Sequence, residues 1–408
     1  LGTGGPPYGT DNPENEGGQL WISQEDQRIN PDFFKWVDRR LMYMDSVEMA
    51  IGFYITWAQH FVTFTREEFE RFEKYLIARY AAFPLLYWIV SGEFDETGDP
   101  DEYAYHGQVI KQTDPYPHPV SIQPGHSDPE NIGTNRIFAD TNWLDYIVHQ
   151  LPYLFSGKNF TPEEVNAYIL TDRIYSKPVV NDEFGYELAS YQGQIFSAEL
   201  VRKYAWAVVM GGGFPSYGHA GTIRTIYPEA LNSPGARYMT SLYTFFEDKQ
   251  WWEYTPNNAL ADSGFCLAGP ESEIIAYFPR NGTFQIDPGN QDISYHVQWF
   301  DPVDGTFADS GFISTSGWQE FTTPFENDAV LWLNPVAAPE IAVNPDSLFF
   351  LAKEDSANPA QQEILILNEG GGHLHWTAEE SPDEPWLDLI NTSGISGDRI
   401  TVSVDVAG

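Results

Sequence analysis

The sequence predicts a parallel α/β body followed by all-β modules. Three observations carry that prediction: six short apolar runs in roughly the first 215 residues, amphipathic segments with helix-start signals between them, and a change near residue 255 to alternating runs broken by turn residues. Buried parallel strands are covered on both faces, so they read as near-continuous apolar stretches. The six runs are MAIGFYITW (49–57), PLLYWIVSGEFD (84–95), HPVSIQPGHS (118–127), WLDYIVHQL (143–151), PVVNDEFGYE (178–187) and WAVVMGGGFPSYG (206–218). Six alternating units fit a parallel sheet, either open or closed into a barrel.

Between the first two runs, Thr65 and Glu68 have capping-box spacing, and Phe69, Phe72, Leu76 and Tyr80 fall on one helical face. Thr161, Pro162 and Glu164 repeat the same start signal before a second amphipathic segment. From SGFCLAGPESEIIAYFP to Pro335 the pattern becomes strand-like, with turns at RNGT (280–283) and DPVDGT (301–306), which reads as a small β-sandwich. VAAPEIAVNPDS then reads as a hinge. After it, SLFFLA, QEILILN, LHWTAEE, WLDLI and RITVSVDVAG make a second β-sandwich. The expected domains are residues 1–257, 258–336 and 337–408.

Composition narrows the function. The chain has 408 residues, 59 of them acidic and 21 basic, for a net charge of -38. Such an excess repels nucleic acid and anionic membranes, and it is compatible with structural calcium sites. The single cysteine, Cys266, excludes an internal disulfide framework. No Cys/His cluster has zinc spacing, HExxH and phosphate-loop patterns are absent, and no apolar run is long enough to cross a bilayer, so no metal, cofactor or membrane span is expected. The first residue, Leu1, is not an initiator methionine, so removal of an upstream secretion signal is expected. Aromatic content of 15% supplies stacking surface of the kind that sugar-binding grooves use.

In a (β/α)8 barrel, reacting groups sit at the carboxyl ends of the strands, where the loops converge. Two runs end in a carboxylate at the same relative point: Glu93 and Glu183. Such a pair equips glycoside cleavage, in which one group protonates the leaving oxygen and the other attacks the anomeric carbon or activates water. Burial near Tyr87, Trp88 and Phe94 would raise the Glu93 pKa, while amide donors near Asn181 would hold Glu183 ionised. Asp95, Asp182 and Glu187 are rival carboxylates, placed second because they lie off the strand ends. Trp57, Gln123, His126, Gln150, Tyr186 and Tyr217 are the candidate substrate-binding residues, suited to holding hydroxyls or stacking on a sugar ring. The competing reading of His126 and His149 is a satisfied core donor. Three sequons, at Asn159, Asn281 and Asn391, are expected by chance in a chain of this length.

The order of INPDFFKWVDRRLMYMDSVEMAIGFYITW, FEKYLIARYAAFPLLYWIVSGEFD, HPVSIQPG, NWLDYIVHQ, KPVVNDEFGYE, GGFPSYGHA and FFEDKQWWEYTP resembles the apiosidase-like glycoside hydrolases, family 140. The resemblance covers about residues 29–335 and extends, through YFPRNGTFQIDPG and HVQWFDPVDGTF, to the small collagen-binding-like domain that follows their barrel. It implies a TIM barrel with Glu93 as general acid/base after the fourth strand and Glu183 as nucleophile after the seventh. The chain departs from the family pattern at Glu93, where Asp is usual, and at Gln123, where His is usual. Two further βα units precede the NPDFF helix in that family, so the barrel here is expected to lack its first two. The last module, from PEIAVNPDSLFF onward, is similar to BACON-type immunoglobulin-like modules.

The resemblance implies a secreted or cell-surface bacterial glycoside hydrolase acting on plant or complex polysaccharide with retention. The alternative is a catalytically inactive extracellular glycan-binding, surface or filament protein that reuses the scaffold as a homo-oligomer. Incomplete barrel closure and tandem β-modules motivate it.

Overall fold

The computed structural model describes residues 13–23, 28–61, 63–96, 98–125, 134–151, 160–183, 185–191, 194–221, 227–289, 293–315, 317–337, 339–353, 357–372 and 374–406. The chain divides into two compact units, one reaching to Pro256 together with Pro302–Gly305, the other comprising Asn257–Asp301 and the chain from Thr306 onward.

Among the described residues the first unit is built on six parallel strands: β1 (Ile51–Trp57), β2 (Leu86–Gly92), β3 (Val120–Ser121), β4 (Ile147–His149), β5 (Val179–Asn181) and β6 (Phe214–Pro215). β1, β2 and β3 pair in that order, as do β4, β5 and β6. Asp145 N donates to Val120 O at 2.8 Å and Ser121 Oγ to Tyr146 O at 2.8 Å, which carries the order across from β3 to β4. Helices α1 (Pro31–Ser46), α2 (Arg66–Tyr80), α3 (Pro100–Thr113), α4 (Pro162–Asp172), α5 (Ala198–Met210) and α6 (Pro234–Phe246) alternate with them except between β3 and β4, where the described residues hold only the 3-10 turn Arg136–Phe138.

Both capping boxes form. Glu68 N donates to Thr65 Oγ1 at 3.3 Å and Thr65 N to Glu68 Oε2 at 2.8 Å; the Thr161–Glu164 pair repeats this at 3.2 and 2.9 Å. Each satisfies two amide donors that a helix start would leave open. The α2 face of Phe69, Phe72, Leu76 and Tyr80 is buried. In β1 the alternation is plain: Ile51, Phe53 and Ile55 are buried, while Gly52, Tyr54 and Thr56 face the other way. Phe53 packs against Tyr80 and Trp88 at centroid distances of 5.2 and 5.4 Å.

One strand run is corrected. Trp206–Met210 is the last turn and a half of α5, capped by Ser197, and the strand is only Phe214–Pro215. A helix buried on all sides carries the same unbroken apolar run as a buried strand, so periodicity does not separate them. Gly211 and Gly212, the latter at φ +75°, end the helix.

In the second unit, β7 (Phe265–Ala268), β8 (Ile274–Phe278), β13 (Ala329–Val336), β10 (Ile293–Asp301) and β11 (Thr306–Thr315) pair antiparallel in that spatial order. β9 (Thr283–Ile286) pairs with β12 (Gln319–Thr322), and Phe284, Ile286, Trp299 and Leu331 share one core. Farther along, β14 (Ile341–Asn344), β15 (Gln362–Asn368), β19 (Arg399–Val404) and β17 (Leu387–Ile390) form an antiparallel sheet, with β16 (His375–Thr377) pairing β18 (Ser393–Ile395). Ile366, Trp376 and Val402 anchor its own core. SLFFLA forms no strand: Phe349 and Leu351 are 85% and 93% exposed. The partner strand of β15 comes from the stretch read as a hinge, since Val343 pairs with Ile366.

Candidate active site

The carboxyl ends of β1 to β5 collect the site. Glu93 follows the last residue of β2 with its backbone in the left-handed region, φ +49°, a conformation that costs a non-glycine residue about 1–3 kcal/mol and persists where surroundings impose it. Trp57, at the end of β1, donates its indole N–H to Glu93 Oε2 at 2.9 Å. Gly92 permits that approach: a Cβ there would lie 2.5 Å from the Trp57 ring. Gln150, buried at the exit of β4, gives Glu93 a second hydrogen bond. Burial raises the Glu93 pKa above the ordinary carboxylate value; the Trp57 bond opposes this, the nearby Glu96 and Asp95 charges reinforce it, and the Gln150 bond opposes it.

At the exit of β5, Asn181 is fully buried and exchanges two hydrogen bonds with Leu151, at 2.8 and 3.0 Å, which pins the strand end to the chain after β4. Glu183 stands two residues on. Tyr186 OH donates to its Oε1 at 3.0 Å, and Gln123 Nε2, from beyond β3, donates to its Oε2 at 3.1 Å. Two donors on a carboxylate favour its ionised form. The same Gln123 amide nitrogen reaches Asp182 Oδ1 at 3.3 Å, and Tyr54 OH donates to Asp182 Oδ2 at 3.0 Å. Tyr54 stacks on Trp57 with centroids 5.5 Å apart. A continuous set of contacts therefore runs from Glu93 through Trp57, Tyr54, Asp182 and Gln123 to Glu183.

Of the residues singled out from sequence, Trp57, Glu93, Gln123, Gln150, Glu183 and Tyr186 belong to this set; His126 lies outside the described residues. Tyr217 is engaged elsewhere. Its hydroxyl donates to Glu187 Oε2 at 2.6 Å and lies 2.6 Å from Ser233 Oγ, and burial, with the Glu187 bond, lifts its pKa to about 12. Glu187, 1% exposed, also takes the Gly235 N–H at 3.1 Å from the first turn of α6, where a carboxylate complements the helix dipole. His149 is fully buried, with Nε2 2.8 Å from Asp172 Oδ2, as a core partner would be. Sequence reading missed Tyr54 and ranked Asp182 second. Burial and the neighbouring Glu183 charge push the Asp182 carboxyl up to about 7 against the opposing Tyr54 bond. Among the described residues no group of three or more His, Cys, Asp or Glu side chains is arranged to hold a metal ion. An open apolar cavity of about 410 Å³ at the opposite strand ends, lined by Leu85, Leu86, Tyr116 and Pro119, contains none of these carboxylates.

Trp57→Phe removes a donor that favours the charged form of Glu93. The carboxyl should then titrate higher than in the wild type, because a hydrogen bond to its charged form is lost. Gly92→Ala, which displaces the ring, should move it the same way. Carbon NMR of the carboxyl checks both, and an unmoved Glu93 titration would remove Trp57 from the account.

The model of the family described as "Apiosidase-like, catalytic domain" matches residues 7–253, more than half of the chain. A crystal structure of a glycoside hydrolase family 5 protein from Bacteroides vulgatus superposes with a TM-score of 0.69 at 18% identity, over 79% of this chain and 80% of that one. A second structure, described as a glycoside hydrolase, gives a TM-score of 0.68 at 18% identity over 79% of this chain and 83% of that one. No curated protein matches the chain. The fold is thus that of TIM-barrel-like glycoside hydrolases, with β-rich regions toward the C-terminal end. Among the described residues no helix is long and apolar enough to cross a membrane.

Proposed function

The chain belongs to the apiosidase-like catalytic-domain family, and from that premise we propose that it is a glycoside hydrolase with Glu93 as general acid/base and Glu183 as nucleophile. One observation supports this reading above the others: of two strand-end carboxylates, Glu93 is pushed toward its neutral form by burial in spite of its bonds to Trp57 and Gln150, whereas Glu183 takes donors from Tyr186 and Gln123. Glycosidic cleavage needs that division. Protonated Glu93 delivers its proton to the leaving oxygen while Glu183 attacks the anomeric carbon, forming a glycosyl ester; Glu93, now ionised, draws a proton from the water that breaks it.

In this reading the six strands count as the third to eighth of the barrel, residues 258–336 and 337–408 act as separate β-sandwich domains, the last BACON-like, and no cofactor enters the reaction. The substrate is a plant or complex polysaccharide met outside the cell. Trp57, Gln150 and Gln123 line its binding subsite. Retention requires the two carboxyl groups to work about 5–5.5 Å apart, inversion about 6.5–9.5 Å.

The test is release of reducing sugar from a panel of plant polysaccharides, with proton NMR of the first-formed anomer. Release with retained configuration is expected. Release with inversion would recast Glu183 as a base, and no release from a protein that sediments as a large ordered assembly would favour the inactive filament reading.

A further inference from the structure

Asp182 is held like a part of the site rather than like a loop acid. Its backbone N–H donates to His149 O at 3.2 Å, its Oδ2 accepts from Tyr54, and its Oδ1 shares the Gln123 amide nitrogen with Glu183 Oε2. Gln123 is 2% exposed, and its Oε1 has no hydrogen-bond partner among the described residues, so the amide is fixed through its nitrogen alone. The ionisable groups felt at Asp182 come from each neighbouring element: Tyr54 on β1, Tyr87 on β2, Tyr146 just before β4, and Glu183. None of these four is a cation.

Resting on the proposed hydrolase reading, we infer that Asp182 is a positioning residue for Glu183: acting through Gln123 it orients the Glu183 carboxylate, and its own proton decides whether one negative charge or two sit at this end of the site. An amide nitrogen has two hydrogens and can serve both carboxylates. Two anions on one donor repel, so the cluster holds a proton more tightly than an isolated acid. The deeper group keeps that proton. Burial lifts Asp182 to about 7, whereas Glu183, with a second donor in Tyr186, carries the charge. Below about pH 7 Asp182 is neutral and the Gln123 amide is free to favour Glu183; above it, the Asp182 charge competes for the same N–H groups. Tyr54, whose hydroxyl burial raises well above 10, stays a donor throughout.

The experiment follows the side-chain carboxyl carbons of the full-length chain by NMR between about pH 5 and 9. In the wild type the Glu183 resonance should show an inflection that coincides with the titration of Asp182; in Asp182→Asn that inflection should vanish. A Glu183 resonance with no such step, or one that persists in Asp182→Asn, would overturn the inference. This readout needs no turnover, so a protein that hydrolyses nothing would sink the proposed function while the titration still decides the role of Asp182. Where turnover is measured, Asp182→Ala should lower kcat about tenfold, the loss expected for one hydrogen bond to a charged group, with KM within about twofold. Asp182→Asn, which keeps an acceptor for Gln123, should restore most of that loss. In a Gln123→Met background the alanine substitution should cost almost nothing more; an equal loss in both backgrounds would also overturn it.

Discussion

Glu183→Gln is expected to abolish turnover, by about 10⁴-fold or more, while leaving the fold intact. Glutamine has the shape of the carboxylate and loses its charge and nucleophilicity. Its Oε1 can still accept from Gln123 Nε2, and its amide can donate to Tyr186 OH, so both neighbours at 3.1 and 3.0 Å keep partners. A buried network broken on one side would instead destabilise the protein. The thermal midpoint should therefore stay within a few degrees of wild type. A second readout is built into the variant: with the Glu183 charge gone, Asp182 loses one of the influences that raise it and should titrate below its wild-type value of about 7. Activity within tenfold of wild type would remove Glu183 from the nucleophile's role.

Much of the barrel was legible because its signals are local. A capping box needs only the right residues three apart, and Thr65–Glu68 and Thr161–Glu164 both form as spacing predicts. A strand buried on both faces needs only an apolar run, which Ile51–Trp57 and Leu86–Gly92 supply. The misreadings share a cause. Trp206–Met210 and SLFFLA are apolar stretches whose state is decided by what packs against them, and that is a tertiary fact. In the second case the strand bonding β15 is Ile341–Asn344, whose partner lies more than twenty residues away.

The site divides the same way. Position at strand ends predicts that Glu93, Glu183, Trp57, Gln123 and Gln150 come together, and the structure brings them into one set of contacts, because convergence of those ends follows from the parallel architecture. Tyr54 was findable too. In IGFYITW the residues Ile51, Phe53 and Ile55 share one face, leaving Gly52, Tyr54 and Thr56 for the interior, and the only large polar group among those three is the Tyr54 hydroxyl that reaches Asp182. Tyr217 is the converse. It sits at a strand exit, yet its hydroxyl goes to Glu187 and Ser233, and no spacing in the sequence reports that the start of α6 brings Ser233 and Gly235 to it.

Glu93→Gln should separate catalysis from stability in opposite directions. As general acid, Glu93 must be protonated, so its raised pKa keeps the working form present to higher pH than a free glutamate allows; kcat/KM should fall as pH rises through that value. Glutamine has no proton to give, and loss of such a group costs about 10²–10⁴-fold. In kcat/KM, which reports cleavage of the glycosidic bond, the loss should be greatest for leaving groups that need protonation and small for nitrophenyl glycosides, which leave unaided, while kcat for both falls through the slowed water step; a uniform loss of kcat/KM across both would mean that Glu93 binds rather than protonates. For folding, the native chain holds the Glu93 proton more tightly than the unfolded chain does. The stability this confers is complete below the unfolded value and is lost as pH climbs through the folded one. The substituted amide never ionises, so the variant should melt at or above wild type at alkaline pH, the two converging in acid where Glu93 is protonated in both states. A variant that is slower with poor leaving groups yet no less stable at pH about 8 is the signature of a carboxyl kept partly out of water for its proton; a variant that melts markedly lower at that pH would show instead that the Glu93 bonds to Trp57 and Gln150 hold the strand ends together.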